Sequence, residues 1–137
     1  MTPEEINQII GSLSQIYGYT PRVYFRPPKG RIRAEFIPPD RIFFHNPIVT
    51  TPYHEYGHFL YYRMRKFSVS SETFAQRFST MWLTILRYNF RCKCGSRKLV
   101  PAHPKNFTFY DIWVKCLDCG AVYKLENKAE LVKHYNP

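Results

Sequence analysis

Ile6, Ile9, Ile10 and Leu13 recur at three- and four-residue spacing, the period of one helix face. In front of them stands Thr2-Pro3-Glu4-Glu5, an N-cap threonine, a first-turn proline and a capping-box glutamate. A helix over about 3–17 is predicted, stopped by Gly18. Val23-Tyr24-Phe25 reads as a short strand closed by Pro27-Pro28-Lys29-Gly30. Arg31 to Ile37 alternates, and Arg41-Ile42-Phe43-Phe44-His45 follows Pro38-Pro39-Asp40, which predicts two strands joined by a tight turn. Thr51-Pro52 opens a second helix whose apolar and aromatic residues run on to Phe67. Ser68 to Ser71 breaks it and caps a third, with Phe74, Phe78, Met81, Trp82 and Ile85 as its stripe. From Tyr88 the texture changes to cysteines, basic residues and the β-like runs Lys98-Leu99-Val100 and Ile112-Trp113-Val114. Asn127 to Tyr135 reads as a short helix. The expected class is α+β. Residues 1–89 form a core of helices and a small antiparallel sheet, 90–126 a cysteine-rich module, and 127–137 a tail.

The chain has 137 residues, room for one ordinary domain or a small domain with an appended module. At 45% hydrophobic and 18% aromatic residues it can bury a core, which excludes a wholly disordered chain. Twenty Lys and Arg against ten Asp and Glu leave a net charge of +10. That balance favours polyanionic partners, nucleic acid first and anionic membrane second. No apolar run approaches the ~20 residues of a transmembrane helix. Met1-Thr2-Pro3-Glu4-Glu5 lacks the basic flank and apolar stretch of a signal peptide, so an intracellular, cytoplasmic location is expected. Without a secretory signal, the four cysteines point to metal rather than disulfides.

His54-Glu55-Tyr56-Gly57-His58 is an H-E-x-x-H motif on the second predicted helix. Residues i and i+4 share a helix face, so both imidazoles can reach one Zn2+. Glu55 lies about 100° around the helix, close enough to act as general base on a water at the metal. A catalytic zinc takes a third protein ligand and leaves one position open. No histidine lies between His58 and His103. Glu72, in the first turn of the third helix, is the leading third ligand, with Glu35, Asp111 and Asp118 as alternatives. Helical-wheel geometry turns Glu72 away from the Phe74/Phe78/Met81 stripe, and the small Ala75 and Ser79 are expected to leave open space beside it.

Cys92-Lys93-Cys94-Gly95 and Cys116-Leu117-Asp118-Cys119-Gly120 are two turns, each ending in glycine. Such knuckles aim two thiolates apiece at one ion, and four thiolates close a tetrahedral structural zinc site. A closed site leaves no position for substrate, so its expected role is to fold a segment with too little core of its own. Two zinc ions per chain are therefore expected, one catalytic and one structural. Arg63, Arg65 and Lys66 end the motif helix, and Arg97 and Lys98 follow the first knuckle. Phe90, Phe107, Phe109, Tyr110 and Trp113 interleave with the basic residues of the cysteine-rich part, a composition suited to phosphate contact and base stacking. These five cations are the candidate nucleic-acid contacts.

Taken in order, these pieces resemble the SprT-like zinc metallopeptidases, the family that includes the Spartan DNA–protein crosslink proteases. Arg41-Ile42-Phe43-Phe44-His45-Asn46-Pro47 is similar to the strand ahead of that family's motif helix. Phe90-Arg91-Cys92-Lys93-Cys94 and Val114-Lys115-Cys116-Leu117-Asp118-Cys119-Gly120 resemble its zinc-ribbon knuckles. The resemblance covers about residues 5–125 and implies a zincin-like core followed by a zinc ribbon. One departure stands out: the family's third ligand is a histidine, where this chain has Ser70, Ser71 and Glu72. A glutamate there, in Glu72-Thr73-Phe74-Ala75-Gln76-Arg77-Phe78, is similar to the gluzincin pattern of the minigluzincins.

The expected function is a zinc-dependent endopeptidase acting on nucleic-acid-associated proteins. His54, His58 and Glu72 hold the ion, Glu55 serves as base, and the peptide lies antiparallel along an edge strand. The alternative is a non-enzymatic nucleic-acid-binding or regulatory protein on a zincin-like scaffold. The intact Glu55 argues against it, because a scaffold needs no base between its two histidines.

Overall fold

A computed structural model of the chain describes residues 1–64, 69–88, 91–101, 112–126 and 130–135. It is mixed α and β, and it divides into two compact units, Met1–Ser79 and Thr80–Pro137. The division falls inside the third helix.

The first helix, α1, is Pro3–Tyr17. Thr2 Oγ1 accepts from the Glu5 N–H at 3.2 Å, and Glu5 Oε1 accepts from the Thr2 N–H at 3.1 Å, a complete capping box. Those bonds hold the Glu5 carboxyl below the usual carboxylate range. Gly18 ends the helix at φ +82°, a left-handed conformation that glycine adopts without a Cβ clash. Ile6, Ile10 and Leu13 are buried, as their spacing predicts.

Strands β1 (Arg22–Phe25), β2 (Ala34–Ile37) and β3 (Arg41–Phe44) form a sheet in the order β1-β3-β2. The β2–β3 pair is the expected hairpin, with Glu35 opposite Phe43 and Ile37 opposite Arg41. The expected all-antiparallel sheet is corrected at β1, which pairs with β3 in parallel: β3 lies between β1 and β2, and the segment after β1 carries the chain back before the hairpin begins. In β3 burial alternates: Ile42 and Phe44 are enclosed, while Arg41 and Phe43 are half-exposed on the other face.

Helix α2 (Thr51–Met64) buries residues on several sides, including Tyr53, Glu55, Tyr56, Gly57, Phe59 and Leu60. Its predicted extension to Phe67 lies outside the described residues. Tyr56 is fully enclosed, and its hydroxyl donates to the Tyr19 carbonyl at 2.7 Å, tying α2 to the segment after α1. Phe36 of β2 rests edge-on against Phe59, 6.5 Å between centroids. Helix α3 (Ser71–Tyr88) is capped by Ser70, whose Oγ accepts from the Thr73 N–H at 3.2 Å.

In the second unit, β4 (Leu99–Pro101), β5 (Ile112–Cys116), β6 (Val122–Glu126) and β7 (Glu130–Tyr135) make a four-stranded antiparallel sheet in chain order. Ile85, Cys92, Leu99, Val114, Cys116, Ala121 and Tyr123 form its small core. The expected helix over 127–135 is corrected here: Glu130–Tyr135 is a strand paired with β6. The physical reason is the open edge of β6, whose backbone donors and acceptors a returning strand satisfies and a helix would not.

Candidate metal centres

The first centre is built where α2 meets the first turn of α3. His54 and His58, one turn apart, bring their Nε2 atoms to 3.2 Å from each other. Glu72 reaches both: Oε1 is 3.1 Å from His54 Nε2 and Oε2 is 3.0 Å from His58 Nε2. The three side chains offer ligand atoms that all lie within 4.8 Å of one another. Two imidazoles and a carboxylate are a donor set that suits zinc. The residues present fit a metal.

Of the four carboxylates considered for the third position, Glu72 is the one brought to the histidines. Glu35 lies 3.7 Å from His45 Nε2, Asp118 pairs with Lys98 in the second unit, and Asp111 is outside the described residues. The side chain of Glu72 is largely exposed, so space is open beside it, but Ala75 and Ser79 do not supply that space. Both are buried, and Ala75 packs on Gly57, where an added Cβ would meet Ala75 Cα at 2.9 Å. That close approach of two helices is what carries Glu72 to the histidines.

His58 is oriented from behind. Its Nδ1 lies 2.7 Å from Ser71 Oγ, so with the serine as acceptor the proton sits on Nδ1 and the Nε2 lone pair faces the centre. The Phe36 ring lies nearly parallel to the imidazole at 6.3 Å. Burial holds His58 below its ordinary pKa, the neighbouring His54 acts the same way, and Glu72 opposes them. The neutral imidazole is the ligating form. Glu55 is 8% exposed. Burial pushes its carboxyl up to about 7, and the negative charges of Glu72 and Glu35 push the same way.

The second centre is formed by Cys92, Cys94, Cys116 and Cys119, whose sulfurs also fall within 4.8 Å of one another. Each knuckle is closed by backbone bonds. Gly95 N–H donates to the Cys92 carbonyl and Gly120 N–H to the Cys116 carbonyl, both at 2.9 Å. Gly95 and Gly120 have φ of +92° and +78°, which a side chain would strain. Cys92 and Cys116 are buried in the core of the unit, while Cys94 and Cys119 face outward. Cys92 Sγ lies 3.1 Å from the Tyr123 hydroxyl, which also accepts from the Lys93 N–H at 3.2 Å. Burial opposes ionisation of Cys92, but the bonds from Tyr123 and the Cys94 backbone outweigh it and bring the thiol down to about 6.

The candidate nucleic-acid residues are less gathered. Arg63, exposed in the last turn of α2, places its guanidinium 4.9 Å from the Tyr19 ring centroid, and Arg65 and Lys66 lie outside the described residues. Arg97 and Lys98 are exposed in the second unit, where Lys98 Nζ is 3.8 Å from Asp118 Oδ1. Three residues that matter to the centres carried no motif: Ser71 behind His58, Gly57 under Ala75, and Tyr123 on Cys92. Their signals were weak, a serine beside Glu72, a glycine inside the H-E-x-x-H run, and a tyrosine three positions past the second knuckle's glycine.

No protein-family model, curated protein or solved structure matches the chain. The functional reading rests on the residues themselves. Among the described residues no helix is long and apolar enough to cross a membrane.

Proposed function

We propose that the chain is a zinc-dependent endopeptidase with a SprT-like, zincin-like core and a structural zinc ribbon, acting on proteins associated with nucleic acid. The observation that carries this reading is the convergence of His54, His58 and Glu72 with the buried Glu55 between the two histidines in sequence. A protein that held metal for structure alone would close the fourth position with a further side chain and would have no use for a carboxylate in the 55 position.

Zinc bound by the three residues supplies Lewis acidity, polarising a peptide carbonyl and lowering the pKa of water. Glu55 is the general base that takes the proton from the attacking water and returns it to the leaving amine. Ser71 keeps the His58 ring in the ligating tautomer. The substrate backbone pairs with β2, an edge of the three-stranded sheet, whose Phe36 stacks on His58. In the four-cysteine site Cys92, Cys94, Cys116 and Cys119 would hold an ion that ties the two knuckles together, apart from the chemistry.

The test is cleavage of an unstructured basic protein, with and without DNA, by wild type and Glu55→Gln. The variant keeps the size of the side chain and loses the base, so the rate should fall roughly 10²–10⁴-fold with zinc content unchanged. Equal cleavage by both proteins would overturn the mechanism.

A further inference from the structure

The outer face of the three-stranded sheet is not used by the peptidase reading, and it has an unusual composition. The side chains that alternate away from the buried Ile42 and Phe44 are set out by the strand register. Arg22, Arg41 and Ile37 form one row, and Tyr24, Phe43 and Glu35 the next. Arg26 and His45 continue the face beyond β1 and β3. Around an aromatic centre this places three arginines and a histidine.

The centre is a stacking surface. Tyr24 and Phe43 lie 5.0 Å apart and nearly parallel, and both are half-exposed. The Arg26 guanidinium is 5.9 Å and 5.1 Å from the two ring centroids. Beside it an open groove of about 490 Å³ is lined by Arg26, Lys29, Glu35, Ile37, Phe43 and His45, with two prolines. That size lies within the range of small-ligand sites, about 300–1,000 Å³.

Two polar atoms on this face are buried without a hydrogen-bond partner, Arg41 Nε and His45 Nε2. Glu35 Oε1 is 3.7 Å from the latter, beyond hydrogen-bond range. His45 Nδ1 is already engaged with the Pro27 carbonyl at 3.2 Å. Neither atom has accessible surface, so a ligand reaches them only when the side chains turn outward.

The charge of the segment agrees. Arg22, Arg26, Lys29, Arg31, Arg33 and Arg41 stand against Glu35 and Asp40, and Asp40 is already taken by Arg22 at 3.0 Å. We propose that this face binds single-stranded nucleic acid. Bases stack on the composite surface of Tyr24, Phe43 and Arg26, and phosphates lie along Arg26, Lys29 and Arg41. An acidic peptide would satisfy the cations but leave the paired rings without a role. The inference shares the nucleic-acid partner with the proposed function, but its test is independent of the peptidase chemistry because it involves neither metal centre nor Glu55.

The experiment uses the full chain loaded with zinc and a labelled oligothymidylate of about 12 nucleotides, a length on the scale of single-strand sites. Affinity is read across a salt series. Arg26→Ala with Lys29→Ala should weaken binding at low salt about tenfold or more and lower the log–log salt slope by about 1.4, two phosphate contacts on a single strand. Tyr24→Leu should weaken binding with the slope unchanged, because stacking releases no counterions. Photocrosslinking of the unsubstituted chain should label peptides that contain Tyr24 or Phe43, a readout that needs no variant to fold. Crosslinks confined to residues 80–137, or polyglutamate competing as well as the oligonucleotide, would overturn the proposal, as would variants that match the wild type in affinity and slope.

Discussion

Gly57 on α2 lies so near Ala75 on α3 that a Cβ at position 57 would stand 2.9 Å from Ala75 Cα and 3.3 Å from Phe78 Cβ. Real Cβ atoms do not approach backbone that closely, so the two helices meet at a distance that only glycine permits. Gly57→Ala should push α3 away, costing about 1–3 kcal/mol by overpacking. Because Glu72 rides on α3, the same change should weaken metal binding at the first centre. Denaturant unfolding and a zinc titration on one sample check both effects.

Ser71 touches no metal-facing atom, yet it stands behind His58 Nδ1 at 2.7 Å. Ser71→Ala should leave the fold intact and lower zinc affinity at the first centre by about 10–100-fold, the usual effect of losing a group that orients a ligand. Ser71→Thr retains the hydroxyl and should retain most of the affinity. Competition with a chromophoric chelator measures the difference.

Glu72→Ala should remove one of three ligands, lowering zinc content at the first centre and the cleavage rate together. Glu72→His offers an imidazole in place of the carboxylate and should hold metal better than the alanine variant. Unchanged zinc content in Glu72→Ala, measured by elemental analysis, would remove Glu72 from the ligand set.

The four-cysteine centre should behave differently on metal removal. Chelation should strip the first centre before the second, since four thiolates enclose the ion more fully than two imidazoles and a carboxylate. Cys116→Ser should unfold β4 to β7 and leave α1, α2 and the three-stranded sheet folded, because among the described residues the core of the second unit gathers around the buried cysteines. Amide spectra of the variant and the wild type would show which resonances collapse.

Tyr123→Phe keeps the ring in that core but removes the hydroxyl that meets Cys92 Sγ and the Lys93 N–H. Folding should survive with zinc bound, and Cys92, having lost a hydrogen bond that tempers its sulfur, should alkylate faster in the zinc-loaded protein than it does in the wild type. Mass spectrometry after a timed iodoacetamide pulse reports this directly.

Local chemistry was legible in the chain. The capping box at Thr2 and Glu5, the stop at Gly18, the β2–β3 hairpin, both knuckles and the spacing of His54 and His58 involve residues a few positions apart. Short-range sterics and hydrogen bonding decide such features. Glu72 led the four carboxylates in the sequence, but its place beside the two histidines was not legible there. That place depended on how closely two helices approach, and that was decided by Gly57 against Ala75. The parallel pairing of β1 with β3, the strand at Glu130–Tyr135 and the hydroxyls of Ser71 and Tyr123 beside their metal-site partners are likewise long-range. Periodicity along a chain says which face of an element is apolar; it carries no information on which distant edge or side chain that face will meet. That was settled only when packing closed the helices and returning strands covered open edges.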